Sequence, residues 1–244
     1  MADLRLKESK SEQVSLTTTA VFTTIPKDVS VPELRLSCDV DYQLHLCPRL
    51  KVVTFFDNSA ATYSANAATS LEDRSTSTVL TISDGEGGAD FIYIGADEQF
   101  TGIWLDMVAF NVNASVLTMK YRQAAAWAAV GSGNDGSASG GATFGQDGLL
   151  KWAKPTDWIK QSLSSVNVAL AHELYWIQLS WNNTLDAAVT IGDMILRNKQ
   201  AGANYWYMYG SMVDTLEINF NQVGGFEAVV ASGTGTLDVD YLGK

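Results

Sequence analysis

The chain has few of the residues that cross-link a small fold, bind a metal in it or restrict its backbone. It has two cysteines, four prolines and two histidines among 244 residues. A chain of this length buries roughly 70% or more of its unfolded surface and needs no disulfide to hold a core. No apolar run approaches about 18 residues, so a transmembrane helix and a membrane partner are not expected. The N-terminal sequence MADLRLKESKSE has no apolar signal-peptide core, which predicts an intracellular start.

Basic residues are also scarce, because 16 Lys and Arg stand against 27 Asp and Glu and give a formal net charge of −11. This is the wrong sign for neutralising a phosphate backbone, so nucleic acid is not expected as a partner. The composition is otherwise that of a globular protein, with 46% hydrophobic and 18% charged residues. Composition alone identifies no function.

Long helical periodicity is nearly absent, whereas apolar and polar residues alternate with period two along most of the chain. The clearest alternation runs from Leu34 to Leu46, where every even position is apolar and every odd position is polar. It predicts one long strand with a buried face and a solvent-facing one, either bent by a bulge or extended as an arm. About a dozen such segments, separated by Gly- and Asp-containing turns, predict an all-β sandwich or barrel.

The same pattern divides the chain into three predicted regions. They are an N-terminal extended or β region at 1–77, a sandwich at 78–198 and a C-terminal β segment at 199–244. Three of the four prolines lie in the first region, which favours extended segments that run along another surface. Additional strands of one domain are an equal alternative.

Cys38, His45 and Cys47 raise the question of a disulfide or a metal site. In a continuous strand the two cysteines face opposite sides and lie roughly 30 Å apart, whereas a disulfide needs a Cα separation of about 4.4 to 6.8 Å. A zinc site needs four ligands that converge on one point, and the same strand geometry keeps these residues apart. Cys38 is therefore predicted as a small core residue, and Cys47 as a strand-end residue on the polar face.

The other histidine, His172, is not part of any recognisable catalytic motif. Nucleophile-elbow, Walker, dinucleotide and zinc-protease motifs are all absent from the sequence. Asp84, Glu86 and Asp90 place oxygen ligands in a Gly-rich turn, but without the spacing of a calcium loop, so a solvated turn is the better interpretation. We expect no catalytic residues, no metal and no cofactor, and we expect that the protein is not an enzyme.

The aromatic content is the most individual feature, with seven Trp, nine Tyr and nine Phe. In a strand, Tyr205, Tyr207 and Tyr209 would share one face. Together with Trp127 they form the predicted aromatic surface. Such residues fill a core, form a subunit interface or bind a sugar, and the sequence leaves these three alternatives open.

The most specific pattern is DGLLKWAKPTDW at 147–158 followed by LYWIQL at 174–179. It resembles a motif of jelly-roll modules in tailed-bacteriophage virion proteins, and the resemblance covers about half the chain, from Phe91 to Leu196. Gln178 stands where the motif has Arg. The resemblance implies a jelly-roll-like antiparallel β-sandwich and carries no catalytic residues with it.

The motif residues are expected to act as a scaffold. Pro155 can open a short turn, Asp157 can accept hydrogen bonds from backbone N–H groups of that turn, and the large rings can lock a loop over the end of the sandwich. The expected scaffold residues are Trp152, Pro155, Asp157, Trp158, Tyr175 and Trp176.

The resemblance implies a virion component that is assembled in the host cytoplasm. We expect a capsid decoration (cement) protein that binds the major capsid protein or other virion proteins and stabilises the assembled shell. A closed homo-oligomer, a trimer, is expected, with strands from 4–22, 34–46 or 237–241 exchanged between subunits. The alternative is a tail, baseplate or fibre module that recognises host glycans through Tyr205, Tyr207 and Tyr209 or through Trp127.

Overall fold

The computed structural model describes residues 7–25, 33–73, 75, 77–82, 86–186, 189–198, 206–218 and 222–243. These residues form nineteen strands and two short 3-10 turns, Ser70–Glu72 and Val168–Leu170. The strands are β1 (Lys7–Leu16), β2 (Val21–Thr24), β3 (Glu33–Cys38), β4 (Tyr42–Pro48), β5 (Leu50–Asp57), β6 (Thr62–Tyr63), β7 (Leu80–Thr81), β8 (Phe91–Ala96), β9 (Gly102–Ala109), β10 (Leu117–Arg122), β11 (Trp127–Ala129), β12 (Gly131–Asp135), β13 (Gly148–Ala153), β14 (Tyr175–Trp181), β15 (Thr190–Arg197), β16 (Trp206–Met208), β17 (Val213–Glu217), β18 (Val223–Val230) and β19 (Gly235–Gly243). The predicted all-β fold class is confirmed.

The chain forms two compact units, and the second is inserted in the sequence of the first. The first unit comprises 1–47 and 201–244, and the second comprises 48–200. This division differs from the three predicted regions, because residues 48–77 supply β5 and β6 to the second unit and the two ends of the chain belong to one unit. Period-two alternation marks a strand but does not reveal which distant strand it pairs with.

The first unit consists of two four-stranded sheets, with strand orders β1-β19-β3-β17 and β16-β4-β18-β2. Leu16, Leu34 and Leu36 of one sheet and Leu44 and Phe226 of the other are fully buried in one core. The segments predicted to be exchanged between subunits pair within this chain, since β19 lies between β1 and β3. A single chain therefore supplies the partners of its own terminal strands.

The predicted continuous strand from Leu34 to Leu46 is wrong. The chain turns between β3 and β4, and the two strands enter different sheets. Asp39 Oδ1 accepts a hydrogen bond from the Thr236 N–H at 2.8 Å, and Asp41 Oδ1 accepts one from the Gly210 N–H at 2.7 Å. The alternation continues through the turn because both strands face the same core.

Both cysteines are buried, and neither forms a disulfide within the described residues. Cys38 belongs to the core of the first unit, and burial raises the pKa of its thiol. Cys47 is only 1% exposed, so its predicted place on the polar face is wrong. The alternation fails there because residues 47–50 are all buried.

The second unit is a sandwich of a six-stranded sheet, β11-β10-β14-β8-β5-β6, and a five-stranded sheet, β12-β13-β9-β15-β7. Its described strand pairings are antiparallel. Ile92, Ile94 and Ile177 of the larger sheet share one core with Ile103 and Leu105 of the smaller. The antiparallel sandwich is thus observed, and its jelly-roll connectivity stays a prediction.

A buried ion pair fixes the first 3-10 turn to Arg49, the residue directly before β5. Glu72 is 1% exposed and Arg49 5% exposed, with Oε2 and Nη1 separated by 3.3 Å. The Glu72 Oε1 also accepts from the Leu50 N–H at 2.7 Å. Burial lowers the pKa of Arg49, and the negative charge of Glu72 opposes that shift. Removal of either side chain would therefore leave the other charge buried without this partner.

We predict that Glu72→Ala lowers the free energy of unfolding of the second unit by about 3–5 kcal/mol, because it leaves a buried guanidinium without this carboxylate. Urea denaturation of the full chain measures the effect. Glu98→Ala, which removes an exposed carboxylate, is the control and should change stability by less than about 0.5 kcal/mol. Equal effects of the two substitutions would contradict the prediction.

Candidate functional site

The outer face of the six-stranded sheet carries aromatic side chains where a solvated sheet would carry polar ones. Along β8, Ile92 and Ile94 enter the sandwich core, so Phe91 and Tyr93 point outward. Neighbouring strands add further outward rings. We call the following five residues the aromatic row: Phe56, Tyr63, Phe91, Tyr93 and Trp127.

The rings of the aromatic row follow one another across the sheet. Register places Tyr63, Phe56 and Phe91 side by side on β6, β5 and β8. Their centroid distances are 4.7 Å from Phe56 to Tyr63 and 6.2 Å from Phe56 to Phe91. Tyr93 continues the row 6.0 Å from Phe91, and Trp127 lies 5.8 Å from Tyr93. Tyr93 is 5% exposed, whereas the other four rings remain partly exposed.

The segment 161–174 covers the adjoining part of the same face. Leu163, Leu170 and Leu174 pack with Val52 and the outward ring of Trp176 in one buried cluster. Gly95 allows this close packing, because a Cβ there would lie 2.8 Å from side-chain atoms of Leu174 and Trp176. The cover leaves the aromatic row as the partly exposed remainder of the face.

Polar groups accompany the aromatic row. The Gln178 Nε2 donates to the Tyr93 hydroxyl at 3.2 Å, and burial raises the pKa of Tyr93 despite this hydrogen bond. Thr118 and Ser180 lie opposite each other on β10 and β14. By strand alternation, the outward-facing positions of β5, β8, β10 and β14 include no Asp or Glu. The face is therefore apolar with uncharged or basic polar neighbours.

The tryptophans before and within the P-x-D-W segment lie in the sandwich core. The Trp152 Nε1–H donates to the Phe100 carbonyl at 3.1 Å. Trp158 is 2% exposed, and its ring lies 5.1 Å from Phe100 and 5.7 Å from Tyr175. Pro155 is half-buried in the connection after β13. These residues fix the course of the chain toward segment 161–174.

Asp157 ties this connection to β10 through side chains. Its carboxylate accepts from the Tyr121 hydroxyl at 2.7 Å and from the Gln123 Nε2 at 2.5 Å. The expected donors were backbone N–H groups of the turn, and these side chains take that place because the exposed carboxylate lies over the end of β10. The Tyr121 hydrogen bond holds the pKa of Asp157 below its ordinary value and raises the pKa of Tyr121.

The predicted aromatic surface divides between the two units. Trp127 belongs to the aromatic row of the second unit, whereas Tyr209 follows β16 in the first unit and is 59% exposed. Tyr205 and the side chain of Tyr207 lie outside the described residues. Sequence reasoning therefore found one member of the row.

The signal for the other members is present in the sequence. The strands VVTFF at 52–56 and FIYI at 91–94 are apolar on both alternating faces. Such runs indicate a sheet with both faces at least partly covered. Pairing partners are needed to bring the two segments together, and these are more than 30 residues apart in the chain.

His172 lines a cavity of about 330 Å³ with Lys51, Asp97 and Glu173. Asp97 accepts from Lys51 at 3.1 Å and from Lys160 at 3.5 Å. Burial alone raises the pKa of Asp97, but the two ammonium groups outweigh it and hold the pKa below its ordinary value. The lining of this cavity contains no hydroxyl or thiol nucleophile.

Asp90 is fully buried, so the expectation of a solvated turn is wrong for this residue. It accepts from the Asn58 N–H at 2.8 Å and from the Glu86 N–H at 2.6 Å, which ties two turns together. Burial raises its pKa although both hydrogen bonds oppose the shift. Asp84 lies outside the described residues. Within the described ranges, no three His, Cys, Asp or Glu side chains are placed to hold a metal ion.

Neither the protein-family models nor the curated proteins compared with this sequence match it. The described part of the chain has no helix with the length and hydropathy of a membrane span. Function is therefore inferred from the geometry of the aromatic row and from the motif at 147–179.

We predict that Tyr121→Phe raises the pKa of Asp157 toward its ordinary value of about 3.9, because a hydrogen bond to the charged form is lost. Since the folded-state pKa is depressed, the wild-type protein has this stabilisation above the unfolded pKa and loses it as the pH falls through the folded pKa. NMR titration of the Asp157 carboxyl and urea denaturation across acidic pH measure both effects. An unchanged Asp157 pKa in Tyr121→Phe would refute the prediction.

Proposed function

We propose that this protein is a non-enzymatic virion component that binds a saccharide on the aromatic row of its second unit. The resemblance of the 147–179 motif to phage virion modules supports the virion assignment. The aromatic row is the observation that carries the binding assignment.

The row has the properties that sugar binding requires. A pyranose ring presents C–H groups that pack on the face of an aromatic ring, while its hydroxyls need polar neighbours. Phe56, Tyr63, Phe91 and Trp127 supply partly exposed rings on a rigid sheet, at low conformational cost on binding. Thr118, which is exposed, supplies a hydroxyl on the same face. A saccharide would complete the cover that segment 161–174 begins.

Binding without hydrolysis fits this face. Glycoside hydrolysis generally needs two carboxyl groups that flank the scissile bond. The outward-facing positions of β5, β8, β10 and β14 include no carboxylate. Of the described carboxylates with a raised pKa, Asp106 is on the other sheet and Asp90 is held by backbone N–H groups. The arrangement thus supports a binding module.

We predict that Trp127→Ala and Phe56→Ala each weaken glycan binding at least tenfold, a loss of about 1.4 kcal/mol, because each removes a ring from the row. A glycan array identifies a ligand, and calorimetry with that ligand measures the loss. Tyr209→Ala removes an exposed ring from the first unit and should leave the affinity unchanged. Absence of glycan binding by the folded wild-type protein, or loss only in Tyr209→Ala, would overturn the proposal.

Capsid decoration is the second candidate function, and one surface feature favours it. Val108 near the end of β9 is 45% exposed, and Phe110, Val112 and Val116 in the connection from β9 to β10 are 46%, 75% and 64% exposed. Several exposed apolar side chains in one segment are typical of a protein-binding surface. On this proposal, they dock on the major capsid protein, and the protein is a trimer.

We predict that a trimer seen by light scattering sediments with undecorated capsids, and that Val112→Asp reduces the bound fraction at least tenfold because it places a charge in the apolar contact. Asn113→Asp, an exposed neighbour that adds the same charge, is the control. A monomer that stays in the supernatant would exclude capsid decoration and leave saccharide binding in place.

A further inference from the structure

Two basic side chains lie beside the aromatic row. Lys120 and Arg122 are two residues apart on β10, so both face outward. Arg122 is opposite Trp127 in register, and its guanidinium carbon lies 5.6 Å from the centroid of that ring. Lys120 is opposite Gln178, which is itself opposite Tyr93. The two cations therefore adjoin the row at Trp127 and at Tyr93.

Across the residues that the structure describes, Lys120 and Arg122 lack the carboxylate partner that three other basic groups of the second unit have. Arg49 is paired with Glu72, and Lys51 and Lys160 are paired with Asp97. Among the described residues, no acidic side chain lies within salt-bridge distance of Lys120 or Arg122. Within the described ranges this pair therefore has no counter-ion, although the sequence has 27 acidic and 16 basic residues.

Arg122 also holds an unpaired donor. Its Nε is buried and has no hydrogen-bond partner in the part of the chain that the structure describes. A buried N–H group without an acceptor is unfavourable, so this side chain is not fully satisfied by the described residues. The planar guanidinium matches the geometry of a carboxylate, and it lies over the ring of Trp127 at cation–π distance.

We propose that the saccharide bound by the aromatic row is acidic, and that Lys120 and Arg122 bind its carboxylate while the rings of the row pack against the sugar. This inference rests on the proposed function and adds the class of ligand, a polysaccharide of carboxylate-bearing sugars. Gln178 lies between Lys120 and Tyr93 in register, and its Nε2 donates to the Tyr93 hydroxyl, so it links the cation to the row.

The test compares each acidic polysaccharide with its own carboxyl-reduced form, so that the sugar rings stay while the charge is removed. Polygalacturonate, alginate, hyaluronate and polysialate are the probes, and affinity electrophoresis and calorimetry with the full chain are the measurements. We expect at least one acidic polymer to bind, and its reduced form to bind at least tenfold more weakly. Dextran sulfate, which has charge without carboxylates, should bind no better than the reduced polymer.

Substitutions assign the effect to the two cations. Lys120→Met and Arg122→Met keep an aliphatic stem and should each weaken binding of the acidic polymer about tenfold, with little effect on the reduced one. Arg122→Lys should restore part of the affinity. Lys151→Met, which removes an exposed lysine from the five-stranded sheet, is the matched control and should change neither. Trp127→Ala should weaken binding of both forms.

The outcomes separate this inference from the proposed function. Equal binding of the acidic and reduced polymers, or equal effects of Lys120→Met and Lys151→Met, overturns the acidic ligand and leaves saccharide binding intact. Tight binding of dextran sulfate shows general attraction of polyanions and also overturns it. If the folded protein binds no polysaccharide, acidic or neutral, both the inference and the proposed function fail.

Discussion

The six-stranded sheet of the second unit is apolar on both faces, and each face must be covered. The five-stranded sheet covers one face by burying Ile92, Ile94 and Ile177. Segment 161–174 covers part of the other with Leu163 and Leu170. The aromatic row is what remains, so the candidate site follows from a sheet with more apolar surface than the described part of the chain covers.

A chain of hydrogen bonds links the sequence motif to that outer face. The Asp157 carboxylate accepts from the Gln123 side chain, and the Gln123 carbonyl accepts from the Gln161 Nε2 at 2.5 Å. The Gln161 carbonyl then accepts from the Trp176 indole at 2.8 Å. The motif thus fixes where segment 161–174 begins to cover the sheet. Its residues set the boundary of the aromatic row without belonging to it.

The alternation of apolar and polar residues predicted where the strands lie, but it did not predict which strands pair with each other. The run at 34–46 reads as one strand because both arms of the β3–β4 turn face a single core, and no Gly or Pro marks the turn that Asp39 and Asp41 stabilise. Trp127 was identifiable by residue type, whereas Phe56 and Phe91 become neighbours only through long-range pairing of β5 with β8. The local sequence pattern shows that a segment is a strand. The candidate site, however, depends on which distant strands pair, and the local pattern does not contain that information.

The net charge of −11 bears on how an acidic ligand is recognised. At physiological ionic strength the screening length is about 8 Å, so acidic groups elsewhere on the chain oppose a polyanion mainly where it runs close to them. Lys120 and Arg122 attract it only where β10 meets the aromatic row. The overall charge therefore disfavours general adsorption of polyanions, while two cations beside five rings favour an acidic sugar bound in one place. On the proposed function, selectivity would arise from this contrast between the net charge of the whole chain and the two cations on one face of one sheet.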